Sequence, residues 1–166
     1  KTEIYRMDGP EEAFGIFSVS RFRCACIPAL SPVSCYTHYQ LQLCSGPFYI
    51  SIINDSGNPG DSLARLGIGR AILAKIDEPS ADLSGFFPGI PVETINRKAV
   101  LVKGELGLMN GAPVWDDYFK ESRGYTALIL EDDGDTLLSV RFSEVAELER
   151  FVVRLGWDPA ALGAGL

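Results

Sequence analysis

Apolar and polar residues alternate on both sides of a turn in the segment Tyr39–Asn54. Before the turn, leucines alternate with glutamines, and after it, Phe48 and two isoleucines alternate with Tyr49 and a serine. The turn contains Gly46 and Pro47, which suit the backbone angles of a turn and interrupt a strand ladder. Period-two alternation around such a break predicts a β-hairpin with one buried face.

Three segments carry the apolar spacing of amphipathic helices. They are Pro10–Ser20, Asp61–Ile76 and Ser143–Leu155. The first opens on a proline, which suits a first helical turn. In the third, Ser143 is expected to act as the N-cap, and Gly156 follows the last turn, as glycine commonly does.

Short apolar runs between turn residues predict the remaining elements. The acidic stretch Glu131–Asp135 places Asp-Gly between two such runs, which is a strong hairpin signal. Because the tip is five residues long, we expect a looser turn than a two-residue one. The proline-containing segment Arg21–His38 is predicted to be extended strand and loop. A short helix is predicted at Val114–Lys120, and strands are predicted at Glu3–Met7, Ala99–Val102, Leu106–Met109, Tyr125–Leu130 and Leu137–Phe142.

Together these elements predict an α+β domain that covers residues 1–166. Each half offers a strand, a helix, a hairpin and a longer helix. We therefore expect two similar halves, 1–79 and 92–157, and we hypothesise an internal duplication. A Gly/Pro/Ser-rich connection, 80–91, joins them. The expected arrangement is two hairpin-containing sheets, or one continuous sheet, with helices on one side.

Composition and charge argue against some classes of function. The chain is 46% hydrophobic and 22% charged, which is typical of a folded domain. Its net charge of −7 argues against binding to nucleic acid, because an acidic surface repels phosphate backbones. No apolar run approaches the roughly 20 residues that a transmembrane helix needs. The chain starts in a predicted strand at Lys1, so we expect that a preceding segment is missing. Such a segment could carry a targeting signal and is compatible with peripheral attachment to a membrane.

Several stretches resemble an uncharacterised bacterial family catalogued only as a domain of unknown function. The matching stretches are Tyr5–Ser18, Leu41–Leu43, Gly46–Ile50, Phe87–Gly89 and Val102–Leu108. Most members of that family are predicted to be exported. The resemblance therefore implies an exported bacterial protein, periplasmic or at the cell surface. It implies no activity, because the family has no assigned catalytic residue.

The sequence contains four cysteines, Cys24, Cys26, Cys35 and Cys44, with the only histidine, His38, among them. An even number of cysteines in an exported domain is typical of a disulfide framework, in which Cys24 and Cys26 each bond outward, to Cys35 and Cys44 in either order. A zinc site is the second interpretation, although the spacing differs from the usual ligand pairs. A reactive thiol at Cys35 beside His38 is the third.

A second candidate site is the cluster Trp115, Asp116, Asp117 and Tyr118, where aromatic rings beside carboxylates are typical of some ligand pockets. The alternative is that the rings pack on a sheet and both aspartates face water. The chain has no Ser-His-Asp arrangement, H-E-x-x-H or G-x-S-x-G motif. We predict no catalytic residue and no cofactor, and lean against an enzyme.

Two functions are therefore expected from the sequence. The first is a non-catalytic exported domain that binds a partner protein or belongs to a multi-subunit assembly. The alternative is a thiol-based redox or metal-binding protein that uses the cysteine cluster. If the cysteines form bridges, reduction or Cys44→Ser should loosen Arg21–His38, while the helix Ser143–Leu155 should stay formed.

Overall fold

The computed structural model describes residues 1–21, 25, 30–132, 134–158 and 160. Its described part contains α-helices and two antiparallel sheets, so the predicted α+β class is confirmed. The chain divides into two compact units, Lys1–Ala99 and Val100–Leu166. Whether an internal duplication relates them stays a prediction.

The first unit is built on a four-stranded antiparallel sheet with the strand order β1-β4-β3-β2. The predicted hairpin forms its centre, since β3 and β4 are joined by a two-residue turn at Gly46 and Pro47. The elements of this unit are β1 (Thr2–Arg6), α1 (Pro10–Ser20), β2 (Ser34–Tyr36), β3 (Gln40–Ser45), β4 (Phe48–Ile53), α2 (Ser62–Leu73) and α3 (Val92–Lys98), with 3-10 turns at Pro59–Asp61 and Ser84–Phe86.

Helices cover both faces of this sheet. The apolar residues of the hairpin pack against α2, and Gly69 permits the close approach, since a Cβ there would lie 3.1 Å from the side chains of both Leu41 and Leu43. The alternate residues of the hairpin face α1, whose carbonyl at Ser20 accepts a hydrogen bond from Gln42. The expectation of helices on one side is therefore wrong for this sheet, because α2 covers the apolar face and α1 covers the face that carries the polar residues of the hairpin.

The segment that follows α2 packs into the same unit. Leu83 and Phe86 are buried, so the connection 80–91 contributes to the core although its composition is typical of a linker. The sequence pattern had indicated no element for α3. The Arg21 guanidinium, just after α1, donates to the carbonyls of Asn96 and Ala99 and ties the end of α1 to the end of α3.

The second unit has a three-stranded antiparallel sheet with the order β5-β6-β7. An aromatic cluster lies on one face, where the ring of Phe119 is 4.6 Å from that of Tyr125 and 4.9 Å from that of Phe151. The elements are β5 (Val100–Lys103), α4 (Gly104–Gly111), α5 (Asp116–Phe119), β6 (Tyr125–Asp132), β7 (Asp135–Phe142) and α6 (Val145–Arg154), with a 3-10 turn at Pro113–Trp115.

Two local predictions in this unit are wrong. The segment Leu106–Met109 lies in helix α4, not in a strand, because Gly104 turns the chain with φ of 64° and only Leu108 of the apolar run is buried. The N-cap of α6 is Glu144, not Ser143. Ser143 lies before the helix, where its N–H donates to the Gly124 carbonyl.

The second predicted hairpin is tighter than expected. Asp132 pairs directly with Asp135, so the acidic residues belong to the ladder up to the turn. The predicted end of the last helix is confirmed, since Gly156 adopts φ of 76° directly after it.

Candidate functional site

The predicted cysteine cluster is only partly described by the structure, because Cys24 and Cys26 lie outside the described residues. Cys35 is disulfide-bonded. Cys44 is a free, buried thiol, so the expected bridge to it is wrong, and no disulfide joins two of the described cysteines. Cys44 is held within the sheet, because its N–H donates to the Val33 carbonyl and it pairs with Tyr49 of β4.

The environment of Cys44 is unsuited to thiol chemistry. Burial raises the pKa of its thiol to about 12, so the thiolate is scarce at neutral pH. His38 is exposed, in the turn between β2 and β3. Among the described residues, no group of three or more His, Cys, Asp or Glu side chains could hold a metal ion. A redox or metal role for Cys24 and Cys26 stays a prediction.

Two members of the second predicted cluster, the aspartates, border a pocket, whereas Trp115 and Tyr118 do not line it. Asp116 and Asp117 line a space of about 420 Å³ together with Lys120 and Arg123. The rings of Trp115 and Tyr118 lie beside each other at 5.3 Å. Tyr125, at the same pocket, has a raised pKa, first because of its burial and then because of the carboxylates of Asp116 and Glu105. Glu105 and Glu121 also line the pocket, so carboxylates outnumber cations around it and its formal charge is negative.

A third feature, the outer edge of β1, was missed by the sequence interpretation. β1 is an edge strand that pairs with β4 on one side only. At its start, Lys1 and Ile53 exchange both backbone bonds, at 2.7 and 2.9 Å. At its end, the Met7 N–H donates to the Pro47 carbonyl at 2.8 Å. These contacts fix the direction of each backbone group along the strand.

Backbone groups in an antiparallel ladder point alternately towards and away from the neighbouring strand. Because Lys1 and Met7 point towards β4, Glu3 and Tyr5 do so as well. Thr2, Ile4 and Arg6 therefore direct their N–H and C=O groups outward, and no described residue pairs with that edge. Unpaired strand edges are templates for the addition of another strand.

The opposite edge of the sheet differs, because β2 already has a neighbour. The Ala25 N–H donates to the Tyr36 carbonyl at 3.0 Å, and the Tyr36 N–H donates back at 2.9 Å. The open edge of this sheet, within the described residues, is therefore that of β1.

A pocket opens on each face of the sheet at β1. On the α2 face, Ile4, Phe48, Ile68 and Ile72 line a mainly apolar space of about 570 Å³. On the α1 face, a space of about 420 Å³ is bordered by the β1 residues Glu3 and Tyr5 and by Met7, Ile16, Gln40 and Ser51. The two pockets thus lie on either side of the same unpaired strand.

The floor of the α1-face pocket is polar and held in place by hydrogen bonds. The Gln40 amide donates to the Ser51 hydroxyl at 2.8 Å, and the Gln42 amide donates to Gln40 at 2.9 Å. The Tyr49 hydroxyl donates to Gln42 at 3.2 Å. Burial raises the pKa of Tyr49, so the group remains a neutral donor at physiological pH. This pocket therefore presents fixed polar groups beside apolar walls.

Comparisons with known proteins add no assignment, since no protein-family model, curated protein or solved structure matches the chain. None of the described helices is long and apolar enough to span a membrane. The function must therefore be inferred from the site itself.

Proposed function

We propose that this protein is a non-catalytic, exported protein-binding domain that accepts an extended segment of a partner at the outer edge of β1. One observation carries the proposal: Thr2, Ile4 and Arg6 direct unpaired backbone groups outward at a strand flanked by a pocket on each face. In β-strand addition, main-chain hydrogen bonds provide affinity and pockets for alternate side chains provide specificity.

The two pockets define the segment that fits. Successive side chains of an added strand point to opposite faces. Those on the α2 face meet Ile4, Ile68 and Ile72, so apolar side chains suit them. Those on the α1 face lie beside Glu3 and Tyr5, so polar side chains suit them. The partner segment is therefore an alternating apolar and polar strand.

The test uses a synthetic seven-residue peptide, acetyl-Thr-Val-Thr-Val-Thr-Val-Thr-amide, and residue-resolved amide exchange by NMR. Binding should slow the exchange of the outward amides of Thr2, Ile4 and Arg6. The inward amides of Glu3 and Tyr5 should change little, because they are already bonded to β4. Unchanged exchange at the outward amides of the monomeric protein with saturating peptide would overturn the proposal.

A proline substitution provides the matched variant. Ile4→Pro removes one outward N–H and leaves the β1–β4 ladder intact, and proline is tolerated where the N–H of an edge strand faces solvent. It should weaken peptide binding while the melting temperature stays close to that of the wild type. Leu63→Glu, at an exposed residue of α2 away from β1, is the control and should bind the peptide normally.

The proposal of export is supported by the resemblance to an exported family and by the bond at Cys35, since disulfides persist mainly in oxidising compartments. Because Cys44 is free, we infer that the partner of Cys35 is Cys24 or Cys26.

Alkylation of the unfolded, unreduced variants Cys24→Ser and Cys26→Ser identifies the partner. The variant that lacks the partner should expose Cys35 to alkylation, and the other variant should keep Cys35 protected. Alkylation of Cys35 in the unreduced wild type would contradict any bond at Cys35.

A further inference from the structure

We infer that the strand accepted by β1 is β1 of a second copy of this chain. The two four-stranded sheets then join into one across a two-fold axis. This inference rests on the proposed binding edge. The axis passes beside Ile4. Thr2 then lies opposite Arg6 of the second copy, and Ile4 lies opposite its own equivalent. This is an isologous contact, the commonest kind in homodimers.

The backbone pattern of β1 is self-complementary about this axis. The residues with outward groups, Thr2, Ile4 and Arg6, are spaced symmetrically around Ile4. In an antiparallel pairing centred on Ile4, each of them falls at a hydrogen-bonded position, so every outward N–H meets a carbonyl of the second copy. A pairing shifted by one residue would place the odd residues at those positions, and their backbone groups already bond to β4.

The charges of β1 do not oppose this pairing. Charged side chains often protect edge strands from association. Here Lys1 lies 2.6 Å from Glu3 in an ion pair, and the Arg6 guanidinium lies over the ring of Phe48 at 5.9 Å. Across the axis, Arg6 faces Thr2 and Glu3 faces Tyr5, so no like charges are directly opposite. Each charge is thus engaged within its own copy.

Apolar side chains surround the edge on both faces. Ile4 is 51% exposed and Tyr5 48%, while Ile68 of α2 is 43% and Ile16 of α1 is 41% exposed. All four border the two pockets beside β1. A second β1 laid along the edge would place Ile4 of each copy against the other and cover the mouths of the pockets. The backbone pattern and the side chains therefore favour the same contact.

Cysteine substitutions test the pairing and its register together. In the predicted dimer, the two Ile4 Cα atoms are about 5.5 Å apart, within disulfide range. Ile4→Cys should therefore cross-link with itself in the presence of oxidised glutathione, and the link should map to the tryptic peptide Thr2–Arg6. Thr2→Cys is the matched control, since its two copies lie more than about 13 Å apart and should not cross-link. A mixture of Thr2→Cys and Arg6→Cys should link across the two chains.

Sedimentation of the reduced wild type over micromolar concentrations should show a species of twice 18.1 kDa. Ile4→Pro removes a donor from both chains at the axis and should raise the dimer dissociation constant by roughly tenfold or more. Leu63→Glu should leave it unchanged.

A wild type that stays monomeric, or a Thr2→Cys variant that cross-links with itself as readily as Ile4→Cys, would overturn the inference. A monomer that nevertheless protects its outward amides on binding the alternating peptide would overturn the self-pairing alone and leave the proposed function standing. A monomer that binds neither would overturn both.

Discussion

The two hairpins of this protein arise from the same sequence signal and occupy different positions in their sheets. The β3–β4 hairpin lies at the centre of its sheet, where β4 pairs with β3 on one side and β1 on the other. In the β6–β7 hairpin, β7 is an edge strand, and most of its residues are exposed or half-buried. The difference shows that alternation identifies which side chains share a face, but not what covers each face.

Burial of polar residues follows from this difference. Gln42 and Ser51 belong to the polar half of the first alternation, and both are buried under α1 within a hydrogen-bond network. On β7, the residues of the less buried face include Leu137, which is 40% exposed. The central hairpin should therefore be far more sensitive to substitution than the edge strand.

The largest contrast should come from leucine truncation. Leu43→Ala removes a fully buried side chain from the core against α2 and should cost about 2–5 kcal/mol of unfolding free energy. Leu137→Ala should cost about 1 kcal/mol or less, because its side chain already contacts solvent. Urea denaturation of both variants measures the difference. Equal losses would contradict the comparison.

A smaller loss should follow from disrupting the polar network under α1. Gln42→Leu leaves the Tyr49 hydroxyl and the Ser20 carbonyl without their partner, and it should cost about 1–3 kcal/mol. Tyr49→Phe should cost less, because the Gln42 side chain keeps its other hydrogen bonds, to Gln40 and to the Ser20 carbonyl.

The double variant of Gln42 and Tyr49 should lose less stability than the two single variants added together, since both remove the same hydrogen bond. Tyr39→Phe, at an exposed ring, is the control and should be neutral within about 0.5 kcal/mol. Strict additivity would show that this bond contributes nothing to the central hairpin.

The turns of the two hairpins should differ by a smaller amount. Gly46 and Gly134 both adopt positive φ, 52° and 92°, so alanine is strained at either position. At Gly46 a Cβ would also lie 2.8 Å from the Cβ of Glu78, whereas at Gly134 no described atom lies within 4 Å. Gly46→Ala should therefore lower the unfolding free energy by about 1 kcal/mol more than Gly134→Ala. A larger loss at Gly134 would contradict this.

The smallest effect at neutral pH should come from Cys44. Its folded pKa of about 12 lies above the value of 9.0 expected without burial. Above pH 9 the unfolded state releases this proton first, so stability should fall as pH rises, by about 1 kcal/mol between pH 9 and pH 10. Cys44→Ala should lack this part of the pH dependence, and parallel curves for variant and wild type would contradict it. Reductant should not act through Cys44, because it is free.

The elements that could be predicted from the sequence are those with local signals. The Gly46-Pro47 turn, the proline that opens α1 and Gly156 after α6 each determine the backbone within a few residues. The short run Leu106–Met109 could not be assigned reliably, because three apolar residues around Gly107 fit a strand or a helix equally well.

The binding edge could not be predicted, because it depends on pairing between distant segments. Which amides of β1 point outward is decided by the register with β4, and no residue type signals it. The burial of Gln42 likewise depends on α1 lying across the hairpin. The bridge to Cys44 was wrong because cysteine spacing does not reveal which strand positions face each other.

The place of β1 in the sheet also has a consequence in time. Thr2 pairs with Ile52, so β1 leaves the ribosome before its partner strand and has no partner in this sheet until the whole β3–β4 hairpin has emerged. Contacts between distant segments form late, because a long loop must close first. The hairpin, with its two-residue turn, can form early and then serve as the template that orders β1. Until that moment, both edges of β1 are open to other chains.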